Sequence, residues 1–480
     1  MSSNVPVLNE QLGNVNAHYR LSEHAFVRPG ARDVVQAGRA QGWHFADGYV
    51  DVPWPVSLTP MLLPPRLLAE VERIGSLVPA ALRCTWDFLT ASDDARSFVF
   101  RSPKSEGDYF NAAEGYPLGD EPLFRLDLLL EHNGDVVTPW LVDVNLMAGM
   151  AGVTGAINNA YAEYADRAWG QETLPGPFNI DAWARGIGAR LPSSTPDDPV
   201  IDYVVRAGHA LVPDAQNVVR ALLRNDIAAR LTHLDELAFN DGGLMQGGRS
   251  NVRRVFRQAR GTTKHSGSAD IRQREEQAFR ELTLAWQSGA TRMDPGFHMY
   301  LESHAWSHYW RDEQFKQAFR SVCGETECAF LISRIPRTLR VVDEHRVAQS
   351  RFEVRDRHWS DLDGVVLKRA DSTGGAGLKM TGWPASPYER DAVTTAIASS
   401  HGDGLLLQER VRQSRHEFPV MGPDSVPMLV SGHLKLAAYF RGSSYLGAHV
   451  LLSPDGSQRF DPASVLNLLP LFVPVYGAHG

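Results

Sequence analysis

Three cysteines in 480 residues (Cys84, Cys323 and Cys328) are too few for a disulfide framework. No second cysteine pair accompanies Cys323 and Cys328 to complete a zinc site. Free thiols in a reducing cytoplasm are the expectation. No run approaches the ~18 apolar residues of a membrane span, and the opening MSSNVPVLNEQLGN lacks a basic-then-apolar leader pattern. Positive charge is not in excess either. The chain has 48 Lys and Arg against 56 Asp and Glu, a net charge of −8, which argues against a nucleic-acid binder. Internal repeats and low-complexity tails are absent. So are G-x-x-x-x-G-K-[ST], G-x-G-x-x-G and any recognisable Ser/His/Asp or Cys/His signature. With 43% hydrophobic and 22% charged residues, this is the composition of an ordinary globular chain long enough for two to three domains.

The most informative stretch is Phe124–Gly152, FRLDLLLEHNGDVVTPWLVDVNLMAGMAG. Phe124, Leu126, Leu128 and Leu130 alternate with Arg125 and Asp127, the two-residue period of a half-buried strand. Asn133-Gly134 tolerates the positive φ of a tight turn. On the return, Val142, Val144 and Leu146 alternate with Asp143 and Asn145. Pairing of the two strands would put Arg125, Asp127, Asp143 and Asn145 on one face. Hard oxygen ligands beside a planar guanidinium suit magnesium and phosphate. The same residues also fit the solvated face of an amphipathic hairpin.

A second block is Val365–Met380, VVLKRADSTGGAGLKM. A buried-strand run ends in Lys368 and is followed by the small-residue loop Ser372, Thr373, Gly374, Gly375, Ala376, Gly377. Backbone N–H groups of such a loop approach phosphate closely, with lysine as counter-charge; a plain glycine-rich turn is the alternative. About thirty residues on, LLLQERV is an apolar strand ending in Gln408-Glu409.

The remaining features carry less chemistry. Pro64-Pro65 opens a helix with Leu67, Leu68, Val71, Ile74, Leu77 and Val78 at helical spacing. Phe98–Arg101 and Cys328–Ser333 read as short strands, and His308–Val322 as a helix carrying Lys316. Residues 180–300 read as mostly helical, with a stripe of Val218, Leu222, Leu223, Ile227, Leu231 and Leu234. Within them 241–270 reads as a loop with a short basic helix, holding Arg249, Arg253, Arg254, Arg257, Arg260 and Lys264. It is either a clamp for an anion or a solvated insertion. His304 and His308 lie one helical turn apart, but the Glu of H-E-x-x-H is missing, so ordinary helix-face histidines are expected.

Arg125-x-Asp127 before Asp143-x-Asn145, with Lys368, its glycine loop and Leu-Leu-Gln408-Glu409 downstream, resembles the ATP-grasp superfamily. Asp143 stands where that family more often has Glu, and Ala148-Gly149 where it has Pro-Gly. The metal hairpin preceding the lysine loop resembles the circularly permuted branch, with its glutathionylspermidine synthetases and eukaryotic-type glutathione synthetases. The resemblance implies an α+β ATP-grasp fold, circularly permuted, with an added mostly helical region. It divides the chain into a substrate-side region 1–120, the hairpin 121–160, a helical region 161–300 and an ATP-binding subdomain 301–480. It also implies magnesium on Asp127, Asp143 and Asn145, and ATP held by Lys316, Lys368, Ser372, Thr373, Gly374, Gly375, Gly377, Gln408 and Glu409. Arg125 is then the catalytic residue. The implied reaction is ATP-dependent ligation of a small-molecule or peptide carboxylate to an amine through an acyl phosphate. A small-molecule kinase or a non-catalytic nucleotide-binding module uses the same residues. The oligomeric state, homodimer included, is left open.

Overall fold

The computed structural model describes residues 44–477 except 48–49, 54–56, 58–60, 101–114, 134–135, 160–177, 194–199, 207–211, 241–242, 247–249, 260–268, 342–352, 355–356, 359–362, 371–378, 383–384, 401–403, 414, 422–426 and 454–470. Six strands position the site: β1 (Leu123–Asn133), β2 (Val136–Asn145), β3 (Val365–Arg369), β4 (Leu405–Glu409), β5 (Pro427–Arg441) and β6 (Ser444–Ser453).

β1 and β2 form the antiparallel hairpin that the alternation predicts. The tip at Gly134 lies outside the described residues. The hairpin is one edge of a seven-stranded sheet that runs Met61–Leu63, Leu471–Gly477, β6, β5, β1, β2. β5 is long enough for one edge to serve two partners. Residues 435–441 pair with β1, and 427–433 pair with Arg415–Met421, the seventh strand. The apolar set Phe124, Leu126, Leu128, Leu130, Val144, Leu436, Ala438, Phe440 and Val450 faces one side. There it packs against the 27-residue helix Pro65–Ala91, whose first residue, Pro65, has no N–H to leave without a helical partner. Gly75 allows the close approach: a Cβ there would sit 2.0 Å from the Phe440 ring.

A smaller antiparallel sheet, ordered Thr338–Arg340, β4, β3, Lys379–Met380, lies over the hairpin with helix Pro387–Ser400 on its far face. Val365, Leu367, Leu405 and Leu407 pack beneath that helix. By the two-residue period, Lys368 falls on the opposite face.

Several expectations are corrected. The reading of 161–300 as mostly helical leaves out a sheet: among its described residues, beside helices Ile180–Arg190, Val212–Arg224 and Ala269–Gln287, strands Ile201–Val205, Ala229–His233, Arg254–Arg257 and Arg292–Asp294 form a parallel sheet. Parallel strands are buried on both faces and so show no alternation. The stripe through Ile227, Leu231 and Leu234 in fact leaves helix Val212–Arg224, turns at Asp226 (φ +58°) and enters a strand. The basic stretch 241–270 contributes strands Gly243–Gln246 and Arg254–Arg257 in place of a basic helix, with Arg254 and Arg257 buried. Arg249, Arg260 and Lys264 lie outside the described residues. Cys328–Ser333 belongs to helix Glu325–Ser333, and Phe98–Phe100 to helix Asp93–Phe100. Apolar runs of four to six residues do not distinguish strand from buried helix.

His132 and His416 meet where β1 gives way to Arg415–Met421 along β5, with ring centroids 5.0 Å apart. Neither ring has a hydrogen-bond partner among the described residues, and His416 is 3% exposed. Burial, reinforced by His132 and His433, pushes His416 down to about 4. A neutral buried imidazole is protonated first in the unfolded chain, so stability falls as pH drops from 6.5 toward 4. The expected loss is about 3 kcal/mol over that range. The urea midpoint of the wild type should therefore fall more steeply with pH than that of His416→Phe. Parallel curves from pH 7 to 4 would refute this.

Candidate active site

On the hairpin face opposite the core helix, the ladder registers set polar side chains in rows. One row runs Tyr439 (β5), Arg125 (β1), Asn145 (β2); the next runs His449 (β6), Ala437, Asp127, Asp143. The four hairpin residues expected on one face are therefore neighbours. Between Asp127 and Leu128 the register shifts, making Val142 the extra residue of a β-bulge. Bulges next to a site re-aim side chains. Here the Val142 carbonyl accepts a hydrogen bond from Lys368 Nζ at 3.3 Å, tying the small sheet to the hairpin.

Asp127 is the hub. Arg125 donates to it through Nε at 2.8 Å and NH2 at 3.3 Å, and Lys435 Nζ donates at 2.8 Å. Burial opposes its ionisation, but the Arg125 and Lys435 charges outweigh burial and hold the carboxyl well below the usual carboxylate range. The other Arg125 arm donates to the Gly149 carbonyl at 2.9 Å, which also accepts from Tyr439 Oη at 3.1 Å. Lys368 is pushed down to about 8 by burial; Asp143 and Asp127 work against that shift and Lys435 adds to it. Asp143 stands 3.4 Å from His304 Nδ1. Asn145 Nδ2 is buried and makes no hydrogen bond to the described residues.

The loop after β2 is held on both sides. Glu302 accepts from the backbone N–H of Leu146 at 2.6 Å and of Met147 at 3.3 Å. Asp214, from helix Val212–Arg224, accepts from Met150 and Val153 at 3.0 and 2.8 Å and so caps helix 151–159. Gly152 permits this contact, since a Cβ would lie 1.9 Å from the Asp214 carbonyl oxygen.

Further along the same face a cavity of about 480 Å³ is lined by Trp140, Arg311, Lys316, Arg320, Arg337 and Glu409, among others. Trp140 is three residues from Asp143, about 10 Å along a strand. Lys316 is paired with Glu313. Gln408 does not project into the cavity; it is buried and donates to Thr338 Oγ1 at 2.9 Å across the small sheet. Ser372, Thr373, Gly374, Gly375 and Gly377 lie outside the described residues.

Local sequence pattern does not reveal Lys435, Glu302 or Tyr439 as members of the site. A lone lysine in an apolar strand carries no motif, nor does a buried glutamate 156 positions from the backbone it holds. Alternation of Lys435, Ala437 and Tyr439 on β5 is the one available signal.

Magnesium and ATP can be weighed against these donors. Asp143 and Asn145 offer hard oxygens, and the Asn145 amide nitrogen has no partner among the described residues. Asp127 is ionised, and a carboxylate retains acceptor sites beyond the three hydrogen bonds it takes here. Among the described residues no group of three or more His, Cys, Asp or Glu side chains is placed to hold a metal ion, so a site built from these residues leans on the Asn145 amide. The donor set fits magnesium shared with phosphate oxygens better than a metal caged by protein alone.

No family model matches the chain, and no curated protein matches it. Among solved structures it is similar to a glutathione synthetase-like effector from Globodera pallida in its apo form. The TM-score is 0.60 at 11% identity, over 94% of this chain and 97% of that one. No helix among the described residues is long and apolar enough to cross a membrane. The similarity is one of fold: the chain shares an α+β architecture with that structure over nearly its whole length.

Proposed function

We propose that this protein is an ATP-dependent carboxylate–amine ligase that makes an amide or peptide bond on a small molecule and releases ADP and phosphate. One observation carries the reading. Lys368 from the small sheet reaches the bulge of a hairpin whose face presents Arg125, Asp127, Asp143 and Asn145. The basic cavity about 10 Å along that face suits a nucleotide, with Lys316, Arg320 and Arg337 there as cations for its phosphates.

In this reading magnesium is held by Asp143 and Asn145, with Asp127 beside them, and supplies charge neutralisation on the phosphates when bound. Arg125 holds the transferring phosphoryl group and the oxyanion of the acceptor carboxylate. Lys368 offsets charge on the polyphosphate from above. Glu302 and Asp214 fix the loop after β2, where the acceptor acid would lie. Most of the acceleration would come from positioning and electrostatics.

The test is phosphate release from ATP, screened over amino acids and small amines, with hydroxylamine as a trap. A ligase yields a hydroxamate and free phosphate from the right acid without any amine. A stable phosphorylated product would make the protein a kinase. Tight ATP binding with neither product across the screen would favour a non-catalytic module, a reading supported by the ion pairs that already satisfy Asp127.

A further inference from the structure

We propose that Tyr439 is a positioning residue for Arg125, acting through the Gly149 carbonyl that the two side chains share; the proposal rests on the ligase reading above. One part of the Arg125 fork lies on Asp127, its neighbour on β1, and the other on the Gly149 carbonyl at 2.9 Å. Asp127 belongs to the sheet, whereas Gly149 belongs to the loop after β2. The angle of the fork is therefore only as fixed as the Gly149–Met150 peptide. A misplacement of about 1 Å can cost about 10²-fold in rate.

That peptide has an unusual shape. Met150 has φ +72°, in the left-handed region that a long side chain rarely adopts. Backbone of this kind persists only where its surroundings over-determine it. Here three polar groups around the Met150 Cα are held. Asp214 accepts from the Met150 N–H at 3.0 Å. The Met150 carbonyl accepts from the Thr154 N–H at 2.9 Å and from the Thr154 hydroxyl at 2.6 Å. The Gly149 carbonyl accepts from Tyr439 Oη at 3.1 Å. Tyr439 and Thr154 are fully buried together with His449, whose Nδ1 lies 2.9 Å from Thr154 Oγ1 and 3.4 Å from Tyr439 Oη. Burial pushes Tyr439 above the usual phenol range and His449 well below the usual imidazole range. The phenol therefore keeps its proton and the imidazole stays neutral. Each hydroxyl donates to its own carbonyl when the His449 Nδ1–H donates to Thr154 Oγ1. Being fully buried, Tyr439 meets no substrate, and its effect passes through Gly149 to Arg125.

The alternative is that Tyr439 does no more than satisfy a buried carbonyl. Tyr439→Phe separates the two, because it removes the hydroxyl and keeps the ring, which packs against Phe178 and Trp183 with centroids 4.6 and 5.5 Å away. The full chain is assayed with ATP, hydroxylamine and the acid that the screen above identifies. In Tyr439→Phe, kcat for hydroxamate should fall about tenfold, while KM for the acid and the calorimetric Kd for ATP stay within about twofold. Thr154→Val should lower kcat in the same selective way, and Thr154→Ser should recover it. In an Arg125→Ala background Tyr439→Phe should add no further loss, since the group it positions is gone. Losses that multiply in that background, an unchanged kcat in Tyr439→Phe, or an equal fall in ATP affinity would each overturn the proposal. If wild type gives no hydroxamate with any acid, the ligase reading falls, and the role of Tyr439 with it. If wild type gives hydroxamate and Tyr439→Phe matches it, only the role of Tyr439 is lost.

Discussion

Arg125→Ala should lose stability and acyl-transfer chemistry together. The side chain is 12% exposed and its partner Asp127 6%. Removing one member of a buried pair costs about 3–5 kcal/mol, most of it from the charge left behind. Lys435 remains on Asp127, so the lower end of that range is expected here. In activity the larger effect falls on transfer and not on ATP binding, because the Arg125 fork is the group placed to meet a developing oxyanion. With the right acid and hydroxylamine, hydroxamate should fall about 10²–10³-fold, the usual loss for one preorganised donor. ATP affinity should fall much less. Equal losses in both would make Arg125 a ground-state phosphate contact, and unchanged hydroxamate would remove it from the chemistry.

Asp143→Ala should separate activity from folding even more sharply. Asp143 has a side chain 25% exposed, close to His304 and in the field of Lys368. Its structural contribution should be under ~1 kcal/mol, as for partly exposed ion pairs. As the carboxylate closest to Asn145 on β2, it should nevertheless be needed for metal-supported turnover, a loss of several kcal/mol of charge stabilisation. ATP turnover titrated with magnesium should stay near background at every concentration, while the thermal midpoint moves little. Turnover approaching wild type at saturating magnesium would remove Asp143 from the metal site.

The hairpin can be read in the chain because three local signals agree: alternation on both strands, a turn between them, and polar residues confined to one face. β3 and β4 are legible for a similar reason, since each is a short apolar run with a defined end. The parallel sheet is not. Ile201–Val205 is buried at every position and so has no alternation, and Ala229–His233, a partly exposed edge strand, is too short to show one that separates it from the helix between. Long-range pairings are equally silent. Nothing near Lys435 announces Asp127, 308 positions away, and nothing near Glu302 announces Leu146, 156 positions away. Gln408 shows the converse: its place in a motif suggests a ligand contact, whereas its amide spends a hydrogen bond on Thr338 within the sheet.

Residues 302–304 have a mechanical consequence. Glu302 grips the end of the hairpin, while Ser303 Oγ and the His304 N–H both donate to the Ala370 carbonyl just past β3, at 2.9 and 3.0 Å. Three consecutive residues thus clasp the large sheet with one hand and the small sheet with the other. Lifting the small sheet would break those bonds, and the other end is tied as well: the Leu141 N–H beside Trp140 donates to the Arg334 carbonyl and the Glu409 N–H to the Arg337 carbonyl, both at 2.8 Å. The two sheets are thus stitched at both ends of the hairpin face, with the cavity between the stitches.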